Sequence, residues 1–395
     1  MKNIFILIIV SVVILFLLIA CARKSQAYKD LIDEESSSIV LKNGVLIDGT
    51  GALPVKNVMI IIQGDKIIKV IKDGKAQISD KAQVIDLNGA TVMPGFINAH
   101  VHEAYNKDNL SNWLNAGVTT VRDESPVGTG NFISKRDEFN KNPKYSTIIS
   151  ATPIMTVTGG YGSLYFDSPE DAEKKVLGMI DQDVDIIKTS IEDSLQGQSW
   201  NMPTYDEIKN IVDTAHSKDK KVSIHVTHAY NLQWAIDAGV DDIAHMVMEP
   251  VDESTFDQMI EKAIYWIPTL ELWKGVSSMY SLDWDRNVMD NLARFYEAGG
   301  KVALGTDFAG YICEFDEGFP ITEIRLMKEA GMSNMDIIQS ATKNAAHVCD
   351  IESKAGTVEE GKAADLLIVD GDPLLDINCL TKVKMVVHRG VIVRN

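Results

Sequence analysis

Ala90-Thr91-Val92-Met93-Pro94-Gly95-Phe96-Ile97-Asn98-Ala99-His100-Val101-His102 is an apolar run that closes on two histidines. The run reads as a buried β-strand. Alternate residues of a strand share a face, so His100 and His102 project together from its end, where two imidazoles can hold one metal ion. A His-x-His pair alone is a weak signal. It gains weight because Lys188, His225, His245 and Asp307 each stand at or near the end of a later strand-like run.

From about Pro94 to Asp350 strand patterns alternate with helical ones. Eight strands are expected: Val92–His102, Val118–Asp123, Thr147–Met155, Asp185–Ser190, Val222–His225, Asp242–His245, Tyr265–Leu270 and Val302–Asp307. Apolar residues at three- and four-residue spacing mark helices between most of these strands, for example at Pro169–Met179, Tyr205–Ser217, Leu232–Ala238, Glu253–Lys262 and Asn287–Ala298. Eight such units over roughly 250 residues indicate a (β/α)8 barrel, whose chemistry sits at the C-terminal strand ends. The reactive residues fall at the ends of strands one, four, five, six and eight.

Short β-rich runs punctuated by turns fill Ser38–Val92, and the C-terminus repeats that texture at Ala364–Val369, Val383–His388 and Val391–Val393. Residues 38–93 and 351–395 are expected to pair into one small composite β-sandwich beside a catalytic barrel at 94–350.

The chain begins Met1-Lys2-Asn3, runs apolar from Ile4 to Ala20, and reaches Cys21. Leu18-Ile19-Ala20-Cys21 resembles a bacterial lipobox, with Cys21 the lipidated residue; an uncleaved membrane helix is the other reading. Both place the folded part outside the cytoplasm, tethered to a membrane through a polar segment at 22–37. Cys313, Cys349 and Cys379 have no framework or zinc-knuckle spacing and read as small apolar fillers. The net charge of −18 argues against nucleic acid as a partner. The sequence leaves the oligomeric state open, a homo-oligomer included.

Four histidines and an aspartate exceed what one catalytic metal with an open position needs, and suit two divalent ions. Lys188 is the odd member, because an ammonium is repelled by two dications. A neutral lysine can take up carbon dioxide and become an anionic carbamate bridge; the alternative is that Lys188 simply pairs with an acid. Asp307 can move a proton from the attacking water to the leaving group, and bound metals activate that water and the carbonyl. His216, His347 and His388 read as ordinary surface or core residues. His228 reads as ambiguous, with a substrate contact as one reading.

These residues carry a resemblance. The chain resembles the amidohydrolase superfamily, in its imidazolonepropionase-like and prolidase-like branch. The matching motifs are Pro94–His102, Ala116–Asp123, Ala238–His245, Ala341–Ala346 and Gly356–Pro373. The resemblance implies a barrel with a composite sandwich, a two-metal centre, usually zinc, and carbamylated Lys188 as its bridge. It also implies hydrolysis of a carbon–nitrogen bond in a small amide, dipeptide or cyclic amide. Two departures stand out. Many relatives carry Thr-Gly-Gly-His after strand three, where this chain has Thr158-Gly159-Gly160-Tyr161; the Tyr161 phenol can donate to an oxyanion but cannot become an imidazolium. The run His225-Val226-Thr227-His228 offers two registers for the fifth-strand ligand, and the spacing to His245 favours His225. A lactonase or phosphotriesterase, or a non-catalytic metal- or solute-binding lipoprotein, are the competing readings.

Overall fold

The computed structural model describes residues 38–72, 76, 78–126, 128, 130–310 and 313–394. The apolar run, Cys21 and the tether lie outside the described residues. Among the described residues no helix is long and apolar enough to cross a membrane.

Five strands open the chain: β1 (Ser38–Leu46), β2 (Val55–Gln63), β3 (Lys66–Ile71), β4 (Gln83–Asp86) and β5 (Thr91–Pro94). The middle holds β6 (Phe96–Val101), β7 (Val118–Asp123), β8 (Thr147–Ser150), β9 (Met155–Val157), β10 (Leu164–Phe166), β11 (Ile187–Ser190), a short hairpin of β12 (Ser194–Leu195) and β13 (Gln198–Ser199), then β14 (Val222–His225), β15 (Asp242–Ala244) and β16 (Tyr265–Ile267). The chain closes with β17 (Leu366–Val369), β18 (Val383–His388) and β19 (Val391–Arg394).

Strands β6, β7 and β8 run parallel, as do β11, β14, β15 and β16. Narrow contacts complete the ring. Ala151 bridges Ile186, Val302 bridges Trp266, and Phe308 bridges Val101, all parallel. Ala99 N donates to Leu304 O at 2.8 Å and Ala303 N to Trp266 O at 3.0 Å, so the 302–308 segment is the eighth stave. The result is a (β/α)8 barrel.

Asp185–Ser190 starts only at Ile187, Asp242–His245 ends at Ala244, Val302–Asp307 joins through isolated bridges, and three further expected strands break or stop early for a local reason. Val92–His102 divides at Gly95: β5 joins the terminal sheet and β6 the barrel. A Cβ at Gly95 would lie 2.3 Å from the Thr119 side chain, so only glycine allows the crossing. Thr147–Met155 breaks around Pro153, which has no N–H for a ladder. Tyr265–Leu270 stops at Ile267, before Pro268 and a left-handed Thr269 (φ +48°).

Helices follow the strands: α1 (Lys107–Ala116), α2 (Phe132–Phe139), α3 (Pro169–Ile180), α4 (Tyr205–His216), α5 (Leu232–Ala238), α6 (Glu253–Glu261), α7 (Leu270–Tyr280), α8 (Trp284–Glu297) and α9 (Ile321–Glu329). Their caps are local chemistry. Thr204 and Glu207 form a reciprocal capping box at α4, and Ser168 caps α3 ahead of Pro169. The expected helices match α3 to α6 and α8 within a few residues. Helices α1, α2, α7 and α9 are further members of the expected strand–helix alternation, without a range named from the sequence.

The terminal strands build one sheet, ordered β19-β18-β17-β5-β1-β2-β3, with β4 on β1. Antiparallel pairing of β5 with β17, from Thr91↔Val369 to Pro94↔Leu366, stitches the two ends of the chain together. Two-residue alternation decides the packing. Leu366 and Ile368 join Leu41, Ile60, Ile67 and Val92 in the sheet's own core, so the sheet folds over on itself. Leu367 and Val369, on the opposite face, pack into the barrel's cluster.

Candidate metal centre

Each reactive side chain leaves a strand end. His100 is on β6, His102 just beyond it, Lys188 on β11, His225 at the end of β14, His245 one residue past β15, and Asp307 on the eighth stave. All six line one cavity of about 450 Å³, together with Tyr161. His245 and Asp307 hold left-handed backbone, φ +73° and +62°. Non-glycine residues there carry strain of about 1–3 kcal/mol and cluster at functional sites.

Ligand-type atoms converge. Asp307 Oδ1 lies 3.1 Å from His100 Nε2 and 2.9 Å from His102 Nε2. Yet Asp307 Oδ1 and His100 Nδ1 are buried without a partner in hydrogen-bond geometry. His100, His245 and Asp307 each bring a ligand atom within 4.8 Å of the others. The His245 ring centroid is 4.8 Å from that of His100 and 4.7 Å from that of His225. Buried polar atoms need partners, and a cation among these imidazoles and this carboxylate meets that need.

Surrounding contacts orient the rings. His245 Nδ1 is 3.0 Å from Thr269 Oγ1, and its carbonyl accepts from Trp266 Nε1 at 2.6 Å, leaving Nε2 toward the cavity. His225 Nε2 is 3.1 Å from Glu192 Oε2, leaving Nδ1 as the nitrogen a ligand would meet. Such outer partners are what metal-binding histidines require. Protonation follows the environment. Burial pushes His100 down to about 4 against the pull of Asp307, and burial with the His225 charge holds His245 well below the usual range. Asp307, despite its burial, is held far below the carboxylate range by His100 and His102. His102 shifts upward, because Asp307 and Asp123 outweigh its burial.

Lys188 has a partner that sequence reasoning passed over. Its Nζ lies 2.5 Å from Glu124 Oε2 and 3.3 Å from Ser223 Oγ. Glu124 in turn contacts Arg122 Nε at 2.5 Å, and Arg122 forks onto Asp242 at 2.8 and 3.0 Å. Burial raises the Glu124 pKa, but Arg122 and Lys188 outweigh it and bring the carboxyl to about 2. Glu124 directly follows the Ala116–Asp123 motif, so its position in the chain was a signal. Glu192, which holds His225, had none.

The two histidine registers separate in space. His225 stacks on Tyr161 with centroids 4.3 Å apart and faces the cavity. His228 turns away: its Nδ1 is 2.8 Å from Glu249 Oε1 and its Nε2 2.7 Å from Ser194 O. Burial opposes its charge, but those contacts raise it to about 9. It lines a separate basin against the β12–β13 hairpin. Trp273 lines an apolar recess with Leu272, Val276 and Trp284 that shares His225 and His245 with the cavity. Glu271 is buried and accepts from Asp316 N.

The chain resembles known proteins over most of its length. The chain is 24% identical to an ochratoxinase of Aspergillus niger, over 90% of this chain and 86% of that protein. It is 21% identical to an imidazolonepropionase of Fusobacterium nucleatum, over 80% of this chain and 85% of the other. A crystal structure of an Xaa-Pro dipeptidase with bound methionine in the active site superimposes with a TM-score of 0.81 at 28% identity, covering 91% of this chain and all of that one. The profile of the amidohydrolase family matches residues 91–393, which include the barrel, its converging histidines and Asp307, and the C-terminal strands, and the chain belongs to that family of generally metal-dependent hydrolases.

Proposed function

We propose that this protein hydrolyses the carbon–nitrogen bond of a small amide, dipeptide or cyclic amide at a centre of two zinc ions. The convergence of His100, His245 and Asp307 ligand atoms within 4.8 Å of one another, with His102 Nε2 2.9 Å from the same carboxylate, carries the reading. His225 would complete the ligand set, and Lys188, as its carbamate, would supply an anionic ligand to the ions. The ions, when bound, supply Lewis acidity toward water and the scissile carbonyl. Asp307, ionised in its buried setting, takes the proton released as water attacks and returns it to the departing amine. Tyr161 lines the cavity on the His225 side, where its phenol donates to the oxyanion that develops on the carbonyl oxygen.

A one-metal form of the same reading is favoured by the Lys188–Glu124 contact, in which the lysine serves as a paired cation. Metal analysis separates the two. Protein purified without chelator is expected to hold about two equivalents, and the Lys188→Ala variant fewer. One equivalent in both proteins would assign Lys188 to Glu124 alone. Folded protein that takes up no zinc and turns over no amide would end the hydrolase reading.

The location belongs to the same proposal. The run from Ile4 to Cys21 supports a lipid-tethered, extracytoplasmic enzyme.

A further inference from the structure

The loops that follow β11 and β14 meet outside the catalytic cavity at a second set of ligand-type side chains. Glu192, Asp193 and His228 each bring a ligand atom within 4.8 Å of the others. The Glu192 side chain is fully buried. Its Oε2 accepts from Thr227 Oγ1 and lies 3.1 Å from His225 Nε2. Its Oε1 is buried with no hydrogen-bond partner, and lies 3.7 Å from His228 Nε2, too far for a hydrogen bond. A buried carboxylate oxygen left in this way carries a desolvation cost that a bound cation removes.

The His228 ring is held as a metal-binding imidazole is held. Glu249 Oε1 lies 2.8 Å from His228 Nδ1, and Glu249 Oε2 accepts from Ala229 N at 2.8 Å, so the carboxylate that orients the ring is itself fixed. Tyr230 stacks on the ring with centroids 4.7 Å apart and donates to Asp193 Oδ1 at 2.9 Å, so one side chain positions both residues. The other ring nitrogen, Nε2, faces oxygens: Ser194 O at 2.7 Å, and Glu192 Oε1. A basin of about 390 Å³ lined by Ser194, His228, Glu249 and the exposed hairpin residues Gly197 and Gln198 gives a path from solvent.

We propose that Glu192 Oε1, Asp193, His228 Nε2 and the Ser194 carbonyl form a structural site for a divalent transition ion, zinc or manganese, separate from the catalytic centre. One imidazole with carboxylate and carbonyl oxygens suits such an ion, whereas calcium and magnesium take oxygen ligands. Binding displaces the proton that Nε2 otherwise donates to Ser194 O. The ion ties the loop after β11, which carries the β12–β13 hairpin, to the loop after β14. It meets Glu192 on one oxygen while the other holds His225, so it braces a catalytic ligand without contacting it. The site stands independently of the amide-hydrolase reading.

Zinc binding tests this without turnover. Zinc in the full chain is counted by elemental analysis after dialysis, and its affinity is read by calorimetry. The His228→Gln/Asp193→Asn variant is expected to hold one equivalent fewer than the parent. Glu249→Ala removes only the half-buried group that orients the ring, and is expected to weaken that equivalent by about 10–100-fold. In His100→Ala/His102→Ala, which dismantles the catalytic cluster, the same equivalent is expected to remain and to protect the β12–β13 hairpin from hydrogen exchange. Equal zinc content and affinity in the parent, His228→Gln/Asp193→Asn and Glu249→Ala would overturn the proposal and leave His228 as an imidazolium between its acids. Loss of all zinc from folded His100→Ala/His102→Ala would overturn it too. Zinc held at this site alone, with no amide turned over by the parent, would end the hydrolase reading and leave the site standing.

Discussion

The Nζ of Lys188 lies 2.5 Å from Oε2 of Glu124, with both side chains buried. The pair continues through Arg122 to Asp242, so two cations and two anions form one chain of contacts inside the barrel. Removing one member of a buried charge array leaves its partner unpaired, which costs about 3–5 kcal/mol. Glu124→Ala is expected to lower stability by that amount in urea unfolding. A change below 1 kcal/mol would show that the array contributes little.

Asp307→Asn keeps the shape of the side chain and removes its proton-accepting capacity. Loss of a positioned acid–base group lowers rates by about 10²–10⁴. A fall of that size in kcat is expected, with the far-ultraviolet circular dichroism unchanged. Turnover equal to the parent would remove Asp307 from proton transfer.

Tyr161→Phe deletes one hydroxyl at the cavity wall. If that hydroxyl meets the developing oxyanion, kcat falls by about 10²–10³ with little change in KM. A rise in KM at constant kcat would place Tyr161 in ground-state binding instead.

Burial raises the carboxyls of Glu271 and Glu323 from 4.5 to about 8, helped by the charge of Asp316 at both and by that of Glu271 at Glu323. An acid with a raised folded-state pKa holds its proton in the native protein while the unfolded chain has released it. These two groups therefore stabilise fully below about pH 4.5, and their contribution declines as pH rises toward 8. Urea midpoints are expected to fall across that range. Glu323→Gln should make the fall shallower; an unchanged slope would assign the pH dependence to other groups.

Cys21→Ser tests the tether. Labelling with radioactive palmitate is expected in the parent and absent in the variant, with the variant retained as unprocessed precursor. A parent that stays in the membrane fraction without any label would identify the Ile4–Ala20 run as an uncleaved helix.

Local pattern made much of the barrel legible. Alternation along β6 put His100 and His102 on one side, and helical spacing located α3 to α6 and α8. The misses share a cause: Gly95, Pro153 and Pro268 interrupt apolar runs that continue in sequence but not in space. Helix α1 has few apolar residues and α2 is short, so their periodic signal is faint.

The sequence by itself determined which residues end the barrel strands, because strand and helix periods are written in near neighbours. It therefore named the four histidines, Lys188 and Asp307. It left open whether His225 or His228 enters the cavity, since both are imidazoles at the end of one strand. Tertiary packing decided that, through Glu192 on His225 and Glu249 on His228. Tertiary structure alone also brought Glu124 to Lys188 and Arg122 to Asp242, which lie 120 residues apart in the latter case. No local period encodes such contacts; they exist only once the barrel closes and buried charges must find partners among whatever side chains the other strands present.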